Sequence, residues 1–258
     1  MNDLLNAFIP SGRLIEAVPS DQTLLGKFIH FPFRLIPRGL IIPILQGKLR
    51  GKRWVAGSSV SSCWLGSYEY DKQSIFAESI AEGSIVFDIG AHVGFYTLLS
   101  SVLVGPKGRV FAFEPIEGNL FYLKKHLHLN HITNVSVIEA AVSDHDGVTY
   151  FARGCHSSQG HISPKGNLLV KTVCLDELHF NRKVLTPDFI KIDVEGAEMS
   201  VLIGARSILE HYHPMIFLAT HGEDVHRQCI ILLKSLDYKI EAIDGKPITH
   251  SKEILACQ

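Results

Sequence analysis

The chain has 258 residues, of which 46% are hydrophobic and 20% charged, so its length and composition suit one α/β domain with a full core. Its formal net charge of −1 at pH 7 offers no basic field, which argues against a nucleic-acid substrate. The 5 cysteines are scattered and never form a C-x-x-C pair, which argues against a disulfide framework and a zinc ribbon. The first residues lack the pattern of a secretory signal peptide, and we expect a cytoplasmic protein.

Residues 1–70 contain many prolines and glycines and show no sustained helical or strand periodicity. We expect an irregular or helical accessory region here, followed by one α/β domain over residues 71–258. The stretch Phe28–Leu49 is apolar, but two arginines and three prolines interrupt it, so we do not expect a spanning helix. We expect this arm to pack on the domain or on a second subunit, as in a homodimer. Peripheral membrane contact is the weaker alternative.

From about residue 72 the sequence alternates between strand-like and helical stretches. The predicted strands are Ile85–Ile89, Val110–Glu114, Val135–Glu139, Phe189–Asp193, Met215–Ala219 and Tyr238–Ile243. The predicted helices are Gln73–Ala81, Phe95–Leu103, Asn119–Leu129, Ala197–Leu209 and Val225–Leu236. Such alternation predicts a doubly wound, mostly parallel sheet. Residues 149–172 interrupt it with short β-like pieces around a loop rich in Gly, Ser and His.

The first motif is an apolar strand, a turn bounded by glycines and a helix start, over residues 85–97. In open α/β sheets, ligands bind at the carboxyl ends of the strands, which is where Asp88, Gly90 and Gly94 lie. Glycine at 90 and 94 leaves room for close approach of a ligand. The next strand ends at Glu114, whose carboxylate suits the two hydroxyls of a ribose.

The spacing of this turn favours a methyl donor over a nicotinamide cofactor. The dinucleotide fingerprint G-x-G-x-x-G has a middle glycine that admits the pyrophosphate, and residues 90–94 lack it. An acid at Asp88 suits a cationic ligand, and S-adenosylmethionine carries a sulfonium and an ammonium group. An NAD-dependent enzyme of similar fold and a nucleoside-binding protein without activity are the alternatives.

The second motif places acids and an imidazole after two later strands. Asp193 and Glu195 follow one predicted strand, and His221 follows the next. Because burying unpaired carboxylates is costly, we expect them to face the same crevice. With an ordinary pKa near 6.5, His221 suits the role of general base, with Asp193 and Glu195 positioning donor and acceptor. The alternatives are that one of the acids is the base, or that all three hold a divalent cation; we expect no metal.

The sequence also predicts roles for an acid at a helix start and for residues after the third strand. Glu198, in the first turn of a predicted helix, favourably faces the helix dipole and is interpreted as structural. The third strand leads to Ala141, Val142 and Asp144. An adenine ring would pack here on Ala141 or Val142, and its amino group would donate a hydrogen bond to Asp144. Asp144 also begins a turn sequence that needs no ligand.

The histidines are numerous, at 14, and most need no special role. His126, His128 and His131 do not share one helical face, so we expect them at the surface. His156 and His161 lie in the Gly/Ser-rich loop, where contact with the acceptor and simple solvation are equally expected.

Four segments resemble the FkbM-type methyltransferases: LGSYE (65–69), DIGAHVGFYT (88–97), FEP (113–115) and KIDVEGAE (191–198). The resemblance implies a class I fold with a seven-stranded sheet, S-adenosylmethionine as donor, and a hydroxyl of a sugar or secondary metabolite as acceptor. It also implies that Tyr68 and Glu69 cap the donor pocket; the alternative is a turn with an exposed acid. His92 stands where the family usually has Asn; we place it in the donor pocket with Asp193 and leave its role open. The sequence therefore predicts an O-methyltransferase acting on a small hydroxylated acceptor such as a saccharide.

Overall fold

The computed structural model describes residues 36–152, 161–162, 166 and 168–258. The chain divides into two compact units, the first ending at Gln73 and the second spanning Ser74–Gln258, against a predicted boundary after residue 70. Most of the N-terminal arm, and His156 of the Gly/Ser-rich loop, lie outside the described residues. Among the helices that are described, none is long and apolar enough to cross a membrane.

The first unit has a small core of its own. Its elements are β1 (Ile41–Pro43), β2 (Arg53–Val55), α1 (Ser61–Leu65) and the start of α2 (Tyr70–Ser79). The two strands pair antiparallel, and Trp54 of β2 is fully buried. Gly66 ends α1 in the left-handed conformation, at φ 82°, and a Cβ there would lie 2.4 Å from the carbonyl oxygen of Gln46. A side chain at this turn would therefore collide with the backbone of the neighbouring segment.

The second unit alternates strands and helices as expected. Its strands are β3 (Ile85–Ile89), β4 (Arg109–Phe113), β5 (Val135–Ile138), β6 (Ala141–Val142), β7 (Gly147–Ala152), β8 (His161–Ile162), β9 (Leu168–Val173), β10 (Phe189–Ile192), β11 (Met215–Ala219), β12 (Lys239–Ala242) and β13 (Glu253–Cys257). Its helices are α3 (Phe95–Val104), α4 (Glu117–Leu129), α5 (Leu175–Phe180), α6 (Glu198–Gly204), α7 (Arg206–Tyr212) and α8 (Glu223–Ser235).

Seven of these strands form one sheet, in the order β12-β13-β11-β10-β3-β4-β5. The five strands from β11 to β5 in this order pair parallel, and β13 runs antiparallel between β11 and β12. The predicted doubly wound, mostly parallel sheet of seven strands is confirmed. Its parallel strands bring the ends of β3, β4, β10 and β11 to one edge, where ligands bind in folds of this type.

Both faces of the sheet are covered, which explains the nearly continuous apolar runs of its strands. Phe87 and Ile89 of β3 join the main core, which includes side chains of α6, α7 and α8. On α2, Phe76 makes edge-to-face contacts with Tyr96, Phe189 and Phe217, at centroid distances of 4.9 to 5.4 Å. These contacts fix the strands whose ends carry the candidate site.

The structure differs from the predicted elements at several places, among them the strand pair β1 and β2 and the helix α5, none of which was predicted. The strand β13 was not predicted, because its position depends on pairing with β11 and β12 rather than on a local pattern. The predicted helix Ala197–Leu209 is two helices that meet at Ala205. The β-like interval forms a separate four-stranded sheet, in the order β6-β9-β7-β8.

Candidate active site

The turn between β3 and α3 requires its two glycines for conformation and packing. Gly90 has φ 78°, and a Cβ there would lie 1.9 Å from the carbonyl oxygen of Asp193. Gly94 has φ 91°, and a Cβ there would lie 2.4 Å from Cδ1 of Leu123. The turn therefore packs tightly against the end of β10 on one side and against α4 on the other. That the same glycines admit a ligand stays a prediction.

Asp88 is paired within the protein, and its expected contact with a cationic ligand stays a prediction. Its side chain is completely buried, Oδ2 accepts a 2.6 Å hydrogen bond from the hydroxyl of Thr97, and Oδ1 lies 3.3 Å from Nζ of Lys191. The positive charge that the acid needs is thus supplied by Lys191. The pair of Asp88 and Lys191 joins the neighbouring strands β3 and β10 beneath the turn.

Lys191 is a site residue that the sequence analysis missed. Only 4% of it is exposed, and Nζ donates to the carbonyl oxygen of Gly90 at 3.1 Å. Nζ also lies 3.8 Å from Oδ2 of Asp193 and 5.4 Å from the centroid of the Tyr96 ring. A lysine in the middle of an apolar strand was the available signal, because lysine is buried only when its charge is paired.

Glu114 joins the ends of β3 and β4. Its Oε2 accepts the backbone N–H of His92 at 2.9 Å, and its Oε1 accepts the N–H of Ile116 at 2.8 Å and the amide of Asn119 at 3.2 Å. Burial raises the pKa of Glu114, and these hydrogen bonds oppose the rise. The carboxylate has capacity for further donors, so the expected ribose contact is compatible with its position.

His92 lies in the turn with φ 50°, in the left-handed region. Asn, Asp and His are the residues other than glycine that adopt this region most readily. This explains how His occupies a position where the resembled family usually has Asn. Burial, and secondly the charge of Lys191, lower the pKa of His92 to about 4, so its imidazole is neutral at pH 7.

The two apolar residues that were expected to contact the adenine ring, Ala141 and Val142, lie on opposite faces of β6. Val142 belongs to the main core, whereas Ala141 belongs to a smaller cluster with Phe151 and Val170. This arrangement favours Ala141 over Val142 for contact with a ring. Asp144 is exposed and accepts from Oγ of Ser143 at 3.0 Å, and the Nδ1 atom of His145 lies 2.7 Å from it. The contact with His145 lowers the pKa of Asp144.

Tyr68 and Glu69 belong to the first unit. Glu69 has φ 48° and forms a 2.9 Å ion pair with Lys72, and the carbonyl oxygen of Tyr68 accepts the side-chain amide of Gln73. Their expected role as a cap on the donor pocket stays a prediction.

Three of the predicted residues come together after β10 and β11. These strands are parallel neighbours in which Ile192 pairs with Leu218, so the segments that follow them lie side by side. The Nε2 atom of His221 lies 3.8 Å from Oδ1 of Asp193 and 3.6 Å from Oε2 of Glu195. About a third of each side chain is exposed, at 34%, 33% and 31%. A substrate group can therefore reach the cluster, and the three ligand atoms, within 4.8 Å of one another, are also close enough for one cation.

Glu198 contacts this cluster from the buried side. It is the first residue of α6, as expected, but it is completely buried, and its Oε1 lies 2.7 Å from Nδ1 of His221. The same oxygen accepts the backbone N–H of Gly196 at 2.9 Å. The hydrogen bond to Glu198 raises the pKa of His221, with further increases from Glu195 and Asp193, while burial opposes them.

The expectation of surface histidines is wrong for His126. Its side chain is completely buried, and Nδ1 lies 2.8 Å from the carbonyl oxygen of Val93 in the turn after β3. Burial lowers its pKa to about 4. His128 and His131 are exposed, as expected. The helical-face argument failed because it compared the histidines with one another, whereas His126 lies on the buried face of α4 with Leu123 and Leu127.

Comparison with known proteins gives matches to methyltransferases. The family model described as the methyltransferase FkbM domain matches residues 88–240, more than half of the chain. Hexuronic acid methyltransferase AglP of Haloferax volcanii is 27% identical over 161 residues, which cover 60% of this chain and 64% of AglP. The crystal structure of methyltransferase FkbM from Methylobacillus flagellatus KT matches with a TM-score of 0.50 and 20% identity, over 68% of this chain and 43% of that chain. This chain thus spans less than two thirds of either relative.

The family match includes the turn at Gly90, the acid Glu114 and the cluster around His221, and it begins at Asp88. The seven-stranded sheet carries all of them at one edge. The chain belongs to the FkbM family of S-adenosylmethionine-dependent methyltransferases.

Proposed function

We propose that this protein transfers the methyl group of S-adenosylmethionine to a hydroxyl oxygen of a saccharide. The observation that carries the proposal is the position of Asp193, which is shared by two parts of the site. Its backbone carbonyl packs against Gly90 of the donor turn, and its carboxylate faces His221. A donor bound at the turn would therefore present its methyl group close to the imidazole.

The identity of the acceptor is supported by chemistry and by one relative. A sugar hydroxyl must lose its proton as its oxygen is methylated, so the site needs a base within reach. Hydroxyl groups also donate well to carboxylates, which Asp193 and Glu195 provide. AglP, the 27% identical relative, is a hexuronic acid methyltransferase. If the acceptor here is a hexuronic acid, its own carboxylate must point away from this acidic cluster.

In the proposed mechanism, the chain aligns the reactants and moves one proton. The donor's sulfonium is already a strong electrophile, so the protein's contribution is to align nucleophile, methyl carbon and leaving sulfur and to exclude water. Nε2 of His221 takes the proton of the hydroxyl as the oxygen–methyl bond forms. Asp193 and Glu195 position donor and acceptor around the imidazole. The products are the methyl ether, S-adenosylhomocysteine and a protonated His221.

The test is an acceptor panel of neutral glycosides, hexuronides and catechols, with release of S-adenosylhomocysteine as the readout and mass spectrometry of the products. The proposal expects transfer to a glycoside or a hexuronide, with the methyl group on oxygen. Transfer to catechols alone would contradict the saccharide assignment. Calorimetry with S-adenosylmethionine and NAD completes the test, because donor binding without transfer to any acceptor would favour the nucleoside-binding alternative.

A further inference from the structure

We propose that Glu198 is a positioning residue for the reaction, which holds His221 in the tautomer that leaves Nε2 ready to accept the proton of the acceptor. This inference rests on the proposed function, since it concerns how the predicted base is prepared. It assigns a role beyond the helix start to an acid that the sequence pattern indicates is structural.

The tautomer follows from the hydrogen bond between the two side chains. An ionised carboxylate can only accept, so Nδ1 of His221, 2.7 Å from Oε1 of Glu198, must carry the hydrogen. In the neutral imidazole the lone pair is then on Nε2. Nε2 lies 3.8 Å from Asp193 and 3.6 Å from Glu195, beyond hydrogen-bonding distance of either carboxylate. The nitrogen that faces the accessible side of the cluster is therefore the one able to take a proton.

The burial of Glu198 is not explained by a role at the helix start alone. An acid in a first helical turn interacts favourably with the helix dipole while it stays exposed. Glu117 of α4 and Glu223 of α8 do so, and both are exposed. Glu198 is 0% exposed, and its Oε2 has no hydrogen-bond partner within the described part of the chain. Because burying a carboxylate is costly, a compensating contact is needed, and the imidazole of His221 provides it.

The three carboxylates that face His221 favour its protonated form, and burial of the imidazole opposes it. Glu198 approaches from α6, and Asp193 and Glu195 from the loop after β10. On α8, Cys229 is near Glu198, and burial raises the pKa of its thiol to about 12, so it remains neutral. The ammonium group of Lys191 lies 3.8 Å from Oδ2 of Asp193. The pKa of His221 is raised from 6.5, chiefly by Glu198, towards the pH range in which a general base works best.

The test uses Glu198→Gln, which keeps the length of the side chain and an acceptor for Gly196 but removes the charge. We expect the acidic limb of the pH profile of kcat to move to lower pH and kcat to fall roughly tenfold, with donor Kd unchanged. The matched control is Glu177→Gln, an exposed first-turn acid of α5, which should leave both unchanged. A full pH profile and kcat in Glu198→Gln equal to those of the parent protein would overturn the proposal.

Two further measurements separate this proposal from other outcomes. The ring nitrogens of His221 can be titrated by NMR without any acceptor. In the parent protein they should report the Nδ1–H tautomer, and in Glu198→Gln the pKa of His221 should be lower. This titration tests Glu198 even if no saccharide is methylated. In a double-mutant cycle, Glu198→Gln should have no further effect on kcat once His221 is Ala. Independent, multiplying effects would show a structural role only and contradict the proposal. If Glu198→Gln does not fold, Glu198→Asp, which draws the carboxylate back by one methylene, replaces it in the titration.

Discussion

The ammonium group of Lys191 lies 3.3 Å from Oδ1 of Asp88, and both side chains are almost completely removed from solvent. The pair joins the parallel neighbours β10 and β3, and the hydrogen bond from Lys191 to Gly90 extends it to the donor turn. A buried ion pair of this kind links the position of the turn to the position of the cluster after β10. We therefore expect removal of the pair to lower the free energy of unfolding more than it changes the reaction at the site.

We expect Lys191→Met to lower the free energy of unfolding by roughly 3–5 kcal/mol, because it leaves the charge of Asp88 buried and unpaired. Chemical denaturation measures the change. The control is Lys171→Met, at an exposed lysine of β9, which should have little effect. Adding Asp88→Asn to Lys191→Met should restore part of the loss, since no unpaired charge then remains. A loss below about 1 kcal/mol in Lys191→Met would show that the pair is not a structural link.

We expect Glu114→Ala to weaken binding of S-adenosylmethionine by about 1–3 kcal/mol, through loss of charge-assisted hydrogen bonds to the ribose. Titration calorimetry measures the affinity, and thermal unfolding shows whether the turn around His92 has been disturbed. Glu117→Ala removes an exposed acid from the start of α4 and serves as the control. Unchanged donor affinity in Glu114→Ala would remove this residue from the ribose contact.

The stability of the protein should depend on pH through His126. Its pKa is about 4 in the folded chain and about 6.5 when unfolded, so below pH 6.5 the unfolded chain binds a proton that the folded chain does not. The stabilisation is complete above pH 6.5 and is lost as the pH falls towards 4, by about 3 kcal/mol. We expect His126→Gln, whose amide can still donate to Val93, to lose less stability over this range. His128→Gln, at an exposed position of the same helix, is the control. Identical losses in His126→Gln and the parent protein would contradict this account.

The sheet was predictable from the sequence because its central strands are apolar on both faces and carry helices between them. β3 and β11 were predicted to the residue, and β4, β5, β10 and β12 to within one residue at each end. β13 could not be predicted in the same way, since its position between β11 and β12 depends on pairing across the chain rather than on local pattern. Gly204, at the end of α6, packs against the distant Ser143, where a Cβ would lie 2.1 Å from the carbonyl oxygen, and a local pattern does not show such a contact.

The candidate site was predictable where a residue's position in a strand decides its location. Asp193, Glu195 and His221 meet because their strands are parallel neighbours, and strand ends can be found in the sequence. Lys191 and Glu198 were missed as site residues because their roles depend on burial and on partners distant in the chain. A pattern of residue types shows neither.

The measurement that tests this account most directly is kcat for His221→Ala at saturating donor, with and without a chelator. The account predicts a fall of roughly 10²–10⁴-fold, since a positioned base contributes that factor, with donor Kd nearly unchanged and no effect of EDTA on the parent protein. Activity that disappears with EDTA and returns with Mg²⁺ or Mn²⁺ would instead place a cation between Asp193, Glu195 and His221. Near-normal turnover in His221→Ala would contradict the assignment of His221 as the base.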